Sequence, residues 1–485
     1  MTSGFKRRFK PFDVLTAGDI DAIEGGVLEI LERVGLKFDV DQPEALNIFD
    51  DAGCTVDFEE KIVKFPPGLV QEGIRKCPSS FHVEARDPNN DLVVGGNTVY
   101  FQPGPGMWYL DTETMEPRFP TRQEFYDAVR IYDALPNLHH FHNNSPNTNI
   151  EGVHPLLSTI ETYAARARYS TKVNYFSQSH ESDRFNIEIA KVVGARGLFG
   201  IGSASPLCWS DDAISAEIRA VKSGMPLICC GGSVWGASAP ATMAGELVTN
   251  IAESLGPLIL AQLIDPGHPV VPGTFTFPTN MSTGAPFFCN ITIALASAGF
   301  AQFWRRYRIP TQLIEAAIPN AKVWDFQSGY EKGMNALVQA QAGGSIVWIH
   351  GTVHGELTAH PLQAILDDDI AGMIGRFLEG IEVSDETLAI DLIEEVGPLP
   401  GFYLDRAHTR TWWRNEQYMP QSADTSTLAE WQMGGRKSAL DLAKERMEDI
   451  LKNHEVSVSL TSGQEEDIQK ILEEAREFYG HRLDD

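Results

Sequence analysis

Basic charge is what this chain has least of. Against 66 Asp and Glu it carries 39 Lys and Arg, a formal net charge of −27 over 485 residues. A phosphate backbone or an anionic membrane surface needs basic side chains, so neither nucleic acid nor membrane is an expected partner. Cysteine is scarce too. Cys54, Cys77, Cys208, Cys229, Cys230 and Cys289 are too few for a disulfide framework, and none sits in C-x-x-C spacing, so free thiols are expected. The longest greasy stretch, roughly residues 286–304, is interrupted by Asn290 and Gln302 and reads as a buried helix rather than a membrane span. The N-terminal MTSGFKRRFKPFDVL has basic residues but no apolar core, which excludes a secretory signal and makes the cytoplasm the expected location. Phosphate-cradling glycines are also missing. No Walker A motif is present, and Gly200-x-Gly202 lacks the third glycine of the dinucleotide fingerprint. A G-x-S-x-G nucleophile elbow is absent.

What is present is an ordinary globular composition, 43% hydrophobic and 22% charged, ample for a large core. Residues 1–97 read as an N-terminal helical and β cap, with amphipathic helices over 17–34 and 43–52. From residue 98 a rhythm sets in. Extended apolar runs start at TVYFQPG, LHHFHNNSP, KVNYFSQSH, LFGIGSASP, PLICCGGSV, PVVPGTFTF, RIPTQLIEA and SIVWIHGTV, with helical patterns between them such as RQEFYDAVRIYDAL and GYEKGMNALVQAQAGG. That spacing is what βα units require, and eight of them predict an α/β fold, a (β/α)₈ TIM barrel over residues 98–385. Residues 386–485 read as a C-terminal helical extension. In it DETLAIDLIEEVG is a helix, FYLDRAHTRTWWRNEQYMP a surface loop, and 435–453 and 464–478 charged amphipathic helices.

Active sites of such barrels lie at the C-terminal ends of the strands. The mouth then collects Gln102, Asn143, Asn144, Gln178, Ser203, Ser205, Gly232, Thr274, Phe275, Glu315 and His350, a mostly neutral polar set with few acids and no Lys or Arg. Aromatics recur around it, among them Tyr109, Tyr175, Trp235, Phe277 and Trp348. Aromatic-plus-amide lining is a poor setting for phosphate and suits a cationic or apolar small molecule held by cation–π attraction. His139-His140-x-His142 raises a rival. Alternation puts His140 and His142 on one face of a strand, as a barrel metallohydrolase would need, but no Asp ends a later strand to complete the site. Glu315 is a candidate general base, or equally an acceptor holding loops, and His350 is the foremost single candidate.

The stretch PTQLIEAAIPNAKVWDFQSGYEKGMNALVQAQAGGSIVWIHGTV, the cap LEILERVGLKFDVDQPEALNIFDDAGCTVDFEEKIVKFPPGLVQEGI and the helix TLAEWQMGGRKSALDLAKERMEDIL resemble the trimethylamine methyltransferase family. The resemblance implies a barrel methyltransferase that moves a methyl group from a methylamine to the cobalt of cobalamin, a corrinoid carried by a separate corrinoid-binding protein, with no cofactor or metal held tightly by this chain. Trimethylamine-specific members carry pyrrolysine. This chain shows only standard residues, which points to the branch resembling glycine betaine:corrinoid protein methyltransferase, acting on a quaternary amine. On that reading His350 and Glu315 are the catalytic candidates. Gln102, Tyr109, Asn143, Asn144, Tyr175, Gln178, Ser205, Trp235, Thr274, Phe275, Phe277 and Trp348 are the substrate-binding ones. A metal-dependent hydrolase and a non-catalytic methylamine binder are the alternatives. Pairing into a homo-oligomer, with the tail helices as contact surfaces, is a further expectation.

Overall fold

The computed structural model describes residues 4–355 and 358–483. Seven parallel strands run side by side in the order Thr98–Pro103, Ile346–His350, Gln312–Leu313, Val270–Thr274, Leu227–Gly231, Leu198–Gly202 and Tyr175–Ser177. The gap between the last and the first is filled by the LHHF run. His139 N donates to the Phe101 carbonyl and Phe141 N to that of Val173, both at 2.9 Å, and His140 bridges Val173. The sheet therefore closes into the expected barrel, although its second member is a single bridge rather than a ladder.

Each of the eight positions is followed by a helix: Arg122–Ala134, Pro155–Tyr169, Asp183–Val193, Asp211–Lys222, Met243–Ile264, Ile291–Arg306, Phe326–Ala342 and Pro361–Leu378. Their starts obey local chemistry. Thr121 and Glu124 form a capping box, and the Asn290 side chain accepts the Thr292 N–H, so the apolar 286–304 stretch becomes helical only from Ile291. A longer apolar helix than that one is Met243–Ile264, long and apolar enough to cross a membrane yet mostly buried. It is buried on most sides because the barrel covers one and the cap helices Ala17–Arg33 and Pro67–Lys76 cover the other. The cap also contributes Leu36–Asp39, which pairs with Cys208–Ser210 from the loop after the fourth strand, and Phe5–Lys6, antiparallel to the first strand.

The C-terminal region departs from expectation in three places. DETLAIDLIEEVG is two short helices, Asp385–Leu388 and Ile390–Val396, split where Ala389 takes a left-handed φ of 51°. The aromatic FYLDRAHTRTWWRNEQYMP holds the helix Ala407–Glu416 rather than a continuous loop. The tail helices turn their apolar faces onto this chain's own barrel: Ala443 and Ile450 join Phe125 and Ile365, while Ile468, Leu472 and Ala475 join Ile160 and Ala190. Those faces are spent within the subunit.

One turn of the last barrel helix does much of the fastening. Asp367 accepts Gly351 N at 2.9 Å and pairs with Lys332 Nζ at 2.6 Å, both groups fully buried. Asp368 accepts Asn137 N at 3.0 Å and faces Arg446 at 3.3 Å, and Asp369 accepts Gln421 N and Ser422 N at 2.8 and 2.6 Å. This run of three acids ties strand, loop and extension together.

Candidate active site

At the C-terminal end of the strands a solvent-open cavity of about 340 Å³ takes its walls from every barrel position. The second run supplies His142, Asn143 and Asn144, the third strand Tyr175, Ser177 and Gln178, and the fourth Ser203. Cys230, Phe275, Ile314 and Trp348 come from the remaining strands, and Met107 from the loop after the first.

The centre is aromatic. The His142 ring lies 4.4 Å from Trp348 and 4.9 Å from Tyr175, centroid to centroid. Gly200 makes room for this, since a Cβ there would fall 1.8 Å from the Tyr175 hydroxyl. Asn144 N donates to His142 Nδ1 at 3.3 Å, which leaves Nε2 as the donor nitrogen of a neutral ring. The ring is neutral because burial, reinforced by Arg166 and His140, pushes its pKa well below the usual histidine value. Burial likewise raises the Tyr175 phenol well above its normal range and the Cys230 thiol to about 12. Among the described residues, every titratable group in the wall is thus uncharged near neutral pH.

The polar rim is organised from behind. Buried Arg166 donates from Nη1 to the carbonyls of Asn143 and Ser145, at 2.8 and 3.1 Å, and from Nε to Asn174 Oδ1 at 2.9 Å, so it shapes the turn that presents the two asparagines. The Asn143 amide donates to Asn144 Oδ1 at 2.8 Å and to Ser177 Oγ. Glu253 accepts the hydroxyls of Ser203 and Ser205, both at 2.7 Å, and Leu207 N at 2.8 Å. Two buried polar atoms in the wall stay unspent, Trp348 Nε1 and Gln178 Oε1, which have no partner among the described residues.

Of the candidates from the sequence, Asn143, Asn144, Tyr175, Gln178, Phe275 and Trp348 meet in this cavity. The others do not line it. Gln102 and Thr274 are buried, the Gln102 amide without a partner among the described residues. Tyr109 belongs to an outer sheet, with the Arg118 guanidinium 5.0 Å over its ring. Ser205 is turned to Glu253, Trp235 donates to Thr276, and Phe277 packs between Phe275 and Phe288. Glu315 is fully buried, accepting Ser297 Oγ at 3.0 Å, Gln339 Nε2 at 2.9 Å and Ile314 N at 3.1 Å. His350 sits 3.6 Å from Asp368, outside the cavity wall. Simple alternation would have aimed it inward beside Trp348, but the pairing with the first strand slips between those two residues.

The histidine pair also separates. His142 enters the cavity, while His140 Nδ1 lies 3.2 Å from the Phe141 carbonyl. Among the described residues no group of three His, Cys, Asp or Glu side chains converges as a metal site. His142 itself was visible in the sequence only as half of that pair. Met107, Ser177, Cys230 and Ile314 gave no signal beyond standing near strand ends.

The family described as Trimethylamine methyltransferase (MTTB) matches residues 1–477. The chain belongs to this family. Members similar to it include trimethylamine methyltransferase MttB of Desulfitobacterium hafniense strain DSM 10664 / DCB-2, 29% identical, with 95% of this chain and 94% of that protein covered. Another is the glycine betaine methyltransferase of D. hafniense strain Y51, 27% identical over 87% and 88%. Among solved structures, monomethylamine methyltransferase MtmB of Methanosarcina barkeri is similar at 12% identity, covering 92% of this chain and 96% of its own, with a TM-score of 0.49.

Proposed function

We propose that this member of the family transfers a methyl group from a quaternary amine of the glycine betaine class to the Co(I) of a corrinoid carried by a separate protein. One observation carries the reading: the aromatic wall of His142, Tyr175 and Trp348 is uncharged, and among the described residues no Asp, Glu, Lys or Arg lines the cavity. A quaternary ammonium brings its own charge, which such ring faces attract. It also needs no acid to leave. When the methyl carbon bonds to the electron pair supplied by Co(I), the nitrogen departs with the C–N pair as a neutral tertiary amine. The chain's part is to orient the methyl group toward the open mouth and to exclude water around the cation.

The unspent Trp348 Nε1–H, with the Gln178 amide and His142 Nε2, is where the polar end of the substrate would be held. The glycine betaine methyltransferase of D. hafniense supports the substrate class. So does a sequence of standard residues only. The reading includes a cytoplasmic location, where six free thiols stay reduced.

An anaerobic assay with cob(I)alamin and a panel of quaternary and tertiary methylamines tests it. Loss of the Co(I) band and formation of methylcobalamin with a quaternary amine is the expected result. Silence across the panel, repeated with a cognate corrinoid protein, overturns the reading.

A further inference from the structure

The opposite end of the barrel carries a charge pattern that methyl transfer does not use. A cavity of about 350 Å³ opens there, where Asn97, Pro310 and Ser345 lead into the first, seventh and eighth strands. Arg7, Arg305 and Arg308 all line it, and no Asp or Glu does among the described residues. In a chain of net charge −27 this is a local inversion.

Arg7 is the informative member. It is 3% exposed; its Nη1 donates to the Ala340 carbonyl at 2.9 Å, and its Nε has no partner among the described residues. Burial, and then the like charge of Arg305, pull its pKa down to about 10, so the guanidinium still keeps its proton. The carbonyl end of helix Phe326–Ala342 offsets part of that charge. Arg305 is answered by Asp13 at 2.5 Å, an acid that also faces Lys10. Arg308 is exposed, and its guanidinium has neither a hydrogen bond nor an ion pair among the described residues. Two of the three cations therefore lack a counter-charge, and a buried one without a counter-charge is costly.

We propose that this floor cavity binds an oxyanion of the phosphate class, with the guanidinium groups of Arg7, Arg305 and Arg308 around it and the Ser79, Ser80 and Asn97 side chains as neutral donors. Three guanidinium groups, one from just after the N-terminal strand and two from the end of helix Ile291–Arg306 and the turn after it, suit a tetrahedral anion with several acceptor oxygens. The volume is at the small end of ligand pockets, so either free phosphate or the phosphate end of a small monoester fits.

Calorimetric titration of the full chain with inorganic phosphate, and separately with glycerol phosphate, in chloride of matched ionic strength, distinguishes the two sources. One saturable site per chain is expected, preferring the monoester if a metabolite is the ligand and phosphate if the free ion is. Arg308→Gln should weaken binding about tenfold, the loss of one charge-assisted contact, and leave methyl transfer unchanged. Arg7→Met should abolish binding; should it fail to fold, Arg308→Gln decides alone. No saturable binding of either compound at about 10 mM, ten times a millimolar Kd, or equal affinity in Arg308→Gln, overturns the proposal.

Discussion

Trp348 and His350 stand two positions apart on the same strand, yet they belong to regions that treat polarity in opposite ways. On Trp348's side the mouth is uncharged and leaves donors and acceptors loose, Trp348 Nε1 and Gln178 Oε1 among them. On His350's side, behind the seventh and eighth strands, ionisable groups are dense and set against one another: Lys332 on Asp367, Arg446 on Asp368, and Glu315 under the Ser297 and Gln339 side chains. The difference teaches where to look for chemistry in this barrel. Paired charge marks the fastening, and an uncharged, aromatic wall marks the place a ligand would fill.

The sharpest way to break that contrast is to attack the fastening. Lys332→Met strands Asp367 in the interior and should cost about 3–5 kcal/mol in urea unfolding, the usual penalty for halving a buried pair. A loss below about 1 kcal/mol, the size of an exposed pair, would put Lys332–Asp367 outside the fastening. On the mouth side, Trp348→Leu should lower kcat/KM for the quaternary amine about 30-fold, equivalent to about 2 kcal/mol of cation–π attraction. Trp348→Phe keeps a ring and loses only the N–H, so a smaller fall separates the two contributions.

Glu315 gives a pH test of the same contrast. Burial, countered by its hydrogen bonds, raises its pKa from 4.5 to about 7. The folded chain then binds more protons than the unfolded chain between those values. Glu315's contribution is therefore complete below pH 4.5 and lost as pH rises toward 7, by on the order of 3 kcal/mol. Glu315→Gln should flatten that decline in pH-dependent melting curves while leaving turnover within about twofold. An unchanged slope would take Glu315 out of the titrating set. The smallest effect is expected from His350→Asn, whose kcat/KM should stay within about twofold of the parent. A loss of several orders of magnitude would return His350 to the mouth and erase the contrast.

The barrel was legible because its signal repeats: apolar runs separated by helical patterns recur whatever happens at any one of them. Even the second run, with three histidines and a single bridge instead of a ladder, kept its place in the count. Tyr175, Asn143 and Trp348 were legible as mouth residues because alternation holds up to the strand end. His350 was misplaced because a slip of register follows Trp348, and nothing in SIVWIHGTV announces it. Glu315 and Ser205 were drawn outward by partners on the helices, Gln339 and Glu253, which are remote in sequence. The tail helices looked like free surfaces because periodicity shows that a face is apolar, never what covers it.

Asp367, Asp368 and Asp369 accept the main-chain N–H groups of Asn137, Gly351, Gln421 and Ser422. At 3.6 residues per turn, three consecutive side chains point in three directions, so one helical turn reaches segments spread across much of the chain. Those four amides lie in the approach to the second run, the end of the eighth strand and the extension. Opening of that one turn would free all four amides at once. Their exchange should therefore report a single opening free energy, making barrel closure and docking of the extension one cooperative unit rather than separate events.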